Sequence, residues 1–69
     1  MDSVQLEVNG ETRTIPREQT IAQLLADLGV TAKHVAVEVN CQLVPRTQHA
    51  EYRLAGGDRM EIVTLVGGG

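Results

Sequence analysis

Only one stretch of this chain has the periodicity of a helix, and that restricts the fold more than any other feature. Thr20 opens the stretch: its hydroxyl can accept from the backbone N–H of Gln23, and the Gln23 side chain can reach back to the Thr20 amide, a reciprocal capping box. Ile21, Leu24, Leu25 and Leu28 then fall on one apolar stripe, and Gly29 offers the left-handed residue that stops a helix. The remaining apolar residues mostly alternate as strands do. Val4, Leu6 and Val8 run into Asn9-Gly10, a strong hairpin signal, and a second strand around Thr12 to Ile15 is expected to stop at Pro16, which lacks an amide proton. Val35, Val37 and Val39 make a third strand, Asn40-Cys41 turns into a short run ending at Pro45, and Gly56-Gly57-Asp58 reverses into a last strand over about Arg59 to Val66. Thr47 to Ala50 has little pattern and reads as an irregular turn. One helix with one apolar stripe can cover only one face of a sheet.

The order strand, strand, helix, strand, strand, strand therefore predicts an α+β domain with a mixed sheet of four to five strands under one helix, the β-grasp or ubiquitin-like arrangement. Residues 1–66 would form this domain and 67–69 a flexible glycine tail. The helix stripe should bury against Val4, Leu6, Val8, Val35, Val37, Val39, Met60 and Ile62. With 69 residues the core must be small, and a large enclosed active site has no room to form. A net charge of −3 with scattered arginines argues against nucleic acid as a partner, and no apolar run approaches membrane-spanning length. Cys41 is the single cysteine, so there is no internal disulfide, and no Cys/His cluster has metal-ligand spacing. The acidic opening Met1-Asp2-Ser3 is unlike a secretory signal, and a cytoplasmic location is expected.

Two features point outward. If Met60 and Ile62 face the helix, alternation sends Glu61, Val63 and Leu65 to the uncovered face, where Val63 and Leu65 either hold a partner or are isolated strand formers. They sit just before Gly67-Gly68-Gly69, where side chains are absent and little can be buried. Those glycines are either a tether that can thread a narrow channel, delivering the Gly69 carboxylate as a reactant, or an unstructured end. Elsewhere there are no paired carboxylates in an evident cleft, no nucleophile beside a base and no phosphate-cradling loop, so no catalytic residue is assigned. His34 and His49 read as surface residues, Cys41 as a small packing residue unless exposed, and Arg46 as a surface arginine that is also the first side chain away from the tail to suspect of partner contact.

Val35-Ala36-Val37-Glu38-Val39-Asn40, Val44-Pro45-Arg46, the Gly57-Asp58 turn and the closing Glu61-Ile62-Val63-Thr64-Leu65-Val66-Gly67-Gly68-Gly69 together resemble the ThiS-type sulfur carriers of thiamin biosynthesis, over essentially the full length. The resemblance implies that an E1-like adenylyltransferase uses ATP and magnesium to activate the Gly69 carboxylate, that sulfur from a cysteine desulfurase or another donor replaces AMP to leave a thiocarboxylate, and that thiazole synthase accepts the sulfur. The chain itself would bind no cofactor and catalyse nothing. One departure is His49, near where such carriers often have a tryptophan. The small subunit of molybdopterin synthase, a ubiquitin-like protein modifier and an interaction domain with an inert tail remain alternatives.

Overall fold

The structure is a computed structural model that describes residues 2–65. Met1 and residues 66–69 lie outside the described residues, and with them the expected glycine tail. β1 (Ser3–Val8) and β2 (Glu11–Pro16) form a hairpin, followed by α1 (Ile21–Asp27), a 3-10 turn over Ala32–His34, β3 (Val35–Val39), β4 (Gln42–Val44), a second 3-10 turn over Arg46–Gln48, and β5 (Arg59–Thr64). The five strands form one sheet in the order β2-β1-β5-β3-β4. β5, last in the chain, lies between β1 and β3; it is parallel to β1 and antiparallel to β3. This is the mixed sheet with one helix that the sequence predicts.

Local chemistry accounts for the helix. Thr20 Oγ1 accepts from the Gln23 amide at 3.2 Å while Gln23 Oε1 accepts from the Thr20 amide at 2.9 Å, completing the capping box. At the other end Gly29 has φ +72°, and the Gly29 and Val30 amides donate to the Ala26 and Leu25 carbonyls, the paired bonds that close a helix around a left-handed residue. Both two-residue hairpins, Asn9-Gly10 and Asn40-Cys41, carry positive φ at both central positions, as the right-handed twist of their strands requires.

Strand ends differ from the sequence reading in two places. Pro16 belongs to β2, opposite Ser3, because β2 is an edge strand and its last residue needs no further donor. β5 ends at Thr64, after which the Leu65 amide donates to the His34 carbonyl at 2.9 Å. Residues 47–50, expected to be irregular, begin within the 3-10 turn over Arg46–Gln48.

The core lies between α1 and one sheet face, and Ile21, Leu25, Val37, Val39 and Met60 are its most enclosed side chains. Val4, Leu28, Val35 and Ile62 pack against it but remain partly exposed. Three core residues were not anticipated: Ile15, opposite Val4 across the first hairpin, with Val44 and Leu54. His49, read from sequence as a surface residue, is only 3% exposed, with its Nε2 3.0 Å from the Val44 carbonyl oxygen. The cause is the path of residues 49–54, which fold back along the start of α1. The His49 and Tyr52 carbonyls accept from the Ala22 and Ile21 amides, donors that the helix itself leaves without partners, and the Leu54 amide donates to Gln19.

Candidate functional site

β5 carries the chain from the middle of the sheet to its end, and its exit is held on both sides. β1 accompanies β5 only through Val8 opposite Met60 before turning into its hairpin. Beyond that point the Asn9 carboxamide takes the place of a strand: Oδ1 accepts from the Ile62 amide at 2.7 Å and Nδ2 donates to the Ile62 carbonyl at 3.2 Å. On the other flank β3 pairs as far as Val35 opposite Thr64, and His34 receives the Leu65 amide. The described backbone from Ile62 to Leu65 is thus held on both flanks.

The faces of the sheet at this exit differ sharply. Met60 is buried and Ile62 half-buried beneath the helix, whereas Glu61, Val63 and Leu65 are exposed, as alternation requires. Val63 is 51% exposed and Leu65 53% exposed, so the two apolar residues singled out from sequence do lie at the surface. A third was missed: Leu43, 65% exposed, sits on the uncovered face because its neighbour Val44 points into the core. In register, Leu43 is opposite Glu38 and Val63 opposite Ala36, so they flank β3 on the same side of the sheet.

Arg46 is exposed at the start of the second 3-10 turn, and the structure brings it to Leu65 across 19 positions of sequence. A cleft of about 340 Å³ is lined by Ala32, Val35, Pro45, Thr47 and Leu65, with Lys33 and Arg46 as its charged members. No acidic residue lines it. His34, beside Lys33, is exposed, as expected, and holds the chain through its backbone. Cys41 is exposed rather than packed, because the turn that carries it projects from the sheet between β3 and β4. Among the described residues no three His, Cys, Asp or Glu side chains are grouped so as to hold a metal ion, and no helix is long and apolar enough to cross a membrane. Gly67, Gly68 and Gly69 fall outside the described residues.

A parallel pairing of the first and last strands at the centre of a five-stranded sheet, with one helix across one face, defines a β-grasp domain. The sequence profile of the ThiS family matches residues 6–69, and the chain belongs to that family, as a ThiS-type carrier. The crystal structure of the thiamine biosynthesis protein ThiS from Geobacter metallireducens superposes with a TM-score of 0.83 at 30% identity, covering 96% of this chain and 100% of that one. The solution structure of a thiamine biosynthesis protein from the same organism gives a TM-score of 0.76, over 96% and 88% of the two chains. A thiazole synthase of Paramagnetospirillum magneticum is 41% identical over 66 residues, which cover 96% of this chain but only 20% of that protein. The ycf40 protein of Pyropia yezoensis is 33% identical, over 97% of this chain and 94% of its own length.

Proposed function

We propose that this protein carries sulfur on the carboxylate of Gly69 for thiazole formation in thiamin biosynthesis. The observation that supports this most is the ThiS family match over residues 6–69, which includes the closing glycines. A carboxylate is anionic and has no good leaving group, so it must be activated before a nucleophile can attack it. An E1-like adenylyltransferase supplies ATP and magnesium and forms the Gly69 acyl-adenylate. The terminal sulfur of a cysteine desulfurase persulfide attacks the acyl carbon and displaces AMP to give an acyl disulfide. A thiol then cleaves it, forming a disulfide with the donor cysteine and leaving the thiocarboxylate; a sulfide-level donor would displace AMP and give the thiocarboxylate directly. Thiazole synthase takes the sulfur and the carboxylate returns, so the chain is a recycled substrate, working in the cytoplasm and binding no cofactor of its own.

The body contributes position. Val63 and Leu65 form an apolar docking patch at the exit of β5, Arg46 adds a polar contact, and Gly67, Gly68 and Gly69 enter the partner's active site, where only a backbone without side chains fits. The thiazole synthase relative, which contains a segment similar to this chain within one polypeptide, favours the thiamin branch over molybdopterin synthesis.

The test is intact mass spectrometry after incubation with ATP, magnesium, an E1-like adenylyltransferase and a persulfide donor. A mass gain equal to one oxygen replaced by sulfur, located on the C-terminal peptide, is expected. An unchanged mass with enzymes that load a known ThiS protein rejects the proposal.

A further inference from the structure

Of the six cationic side chains, Arg53 is paired with Glu18 at 3.0 Å, Arg59 with Glu7 at 3.6 Å, and Arg17 is also engaged within the chain. Among the described residues no ion pair is recorded for Lys33, Arg46 or Arg13, and the first two line the same cleft at the exit of β5. They come from different 3-10 turns, before β3 and after β4, so the fold has gathered them there. The chain as a whole carries −3, yet this cleft has two cations, no acid and an apolar floor that includes Leu65 and Val35. Two cations lining one cleft without an acid give it a positive local potential, which favours an anionic group entering it.

We propose that the Lys33–Arg46 cleft receives an acidic side chain at the mouth of the channel through which thiazole synthase admits the tail. The proposal rests on the sulfur-carrier reading and names the recognition chemistry of its docking surface. Thiazole synthase is the occupant because a relative holds a segment like this one and a thiazole synthase in a single chain, which keeps the two bodies in contact range. Charge complementarity sets the partner's sign. Because the net charge is negative, an acidic partner is repelled at long range and attracted only within about one Debye length, roughly 8 Å at physiological salt, of this cleft. The contact therefore fixes orientation, turning the exit of β5 toward the channel, and Leu65 closes the apolar part of the same interface.

The experiment measures the affinity of the full chain for thiazole synthase, alongside Arg46→Glu, Lys33→Glu and the control Arg13→Glu, which changes net charge by the same amount on the exposed surface of β2. Circular dichroism checks each fold, and Arg46→Gln serves as a milder variant. Arg46→Glu and Lys33→Glu are expected to weaken binding roughly tenfold or more, Arg46→Gln less, and Arg13→Glu by less than about twofold, with the cleft variants also losing salt sensitivity. Equal effects of Arg46→Glu and Arg13→Glu would show a net-charge effect and overturn the proposal. So would unchanged binding, or a loss confined to thiocarboxylate loading by the adenylyltransferase. In each of these outcomes, normal sulfur loading of the parent chain leaves the carrier reading standing; failure of the parent to load or to bind removes both.

Discussion

Asn9 should hold the end of β5 more firmly than its exposed place in a hairpin suggests. β5 has two residues in register with β1, and past the Asn9 amide bond to the Met60 carbonyl the support on that side among the described residues is the Asn9 carboxamide, bonded to Ile62 at 2.7 and 3.2 Å. Asn9 also has φ +51°, which asparagine tolerates and most side chains do not. Two substitutions separate these roles. Asn9→Gly keeps the turn and removes both hydrogen bonds, each contributing about 0.5–1 kcal/mol net at an exposed site, so it should cost about 1–2 kcal/mol. Asn9→Ala also forces an alanine into the left-handed region, adding about 1 kcal/mol and bringing the total to about 2–3. For a chain of 69 residues the whole stability is on the order of 3–10 kcal/mol, so both losses are measurable. In urea, with a slope of about 1 kcal/mol/M for a domain of this size, the midpoint should fall by about 1–2 M for Asn9→Gly and further for Asn9→Ala. Amide exchange gives the local readout: protection at Ile62 should drop more than at Val37, opposite it on β3. An unchanged midpoint for Asn9→Gly, or an equally protected Ile62 amide, would mean that β3 alone holds the strand and would refute the reasoning.

Other outcomes follow from the same geometry. Leu25 is 1% exposed at the centre of the helix stripe, and Leu25→Ala should cost about 2–5 kcal/mol, lowering the melting temperature by more than about 10 °C or unfolding the domain; an unmoved transition in calorimetry would place Leu25 outside the core. Val63→Asp should weaken the complex with thiazole synthase while leaving the melting temperature within a few degrees of the parent, and unaltered affinity by calorimetric titration would remove Val63 from the docking surface. Cys41 sits at φ +70°, so Cys41→Gly should raise stability by about 0.5–1 kcal/mol in urea and leave sulfur loading untouched; lost loading would make the thiol a participant.

What could be read in the sequence was local. Thr20, Gln23 and Gly29 are neighbours of the bonds they make, so the helix and both of its ends were legible, as were the turns at Asn9-Gly10 and Asn40-Cys41. Alternation put Val37 and Val39 inward and Val63 outward, because pleating has a period of two whatever lies beside the strand. What escaped depends on chain returns. His49 has no apolar pattern around it and is buried because residues 49–54 supply carbonyls to the first helix amides. The exposed apolar residues divide in the same way. Val63 and Leu65 were visible by alternation, but Leu43 became a surface residue only once Val44 was seen to turn inward. Lys33 carried no signal at all until two separate 3-10 turns placed it with Arg46.

The arrangement also predicts that stability and recognition can be altered separately in so small a domain. The most enclosed side chains lie between α1 and one face of the sheet, and a 69-residue chain has little buried area to spare. Leu43, Val63 and Leu65 nevertheless stay on the surface, where each forgoes half or more of the transfer free energy it would contribute if covered, about 1.5–3 kcal/mol when burial is complete. Nothing within the described fold recovers that energy, because the one helix is committed to the other face. A partner seated on the uncovered face would recover part of it, and only in the complex. Substitutions there should therefore act on affinity, while substitutions beneath the helix act on folding. The cationic cleft would add direction to an attraction that is otherwise non-directional: apolar contact at Val63 and Leu65 alone would permit several orientations of the body, and an acid of the partner held between Lys33 and Arg46 would select one of them.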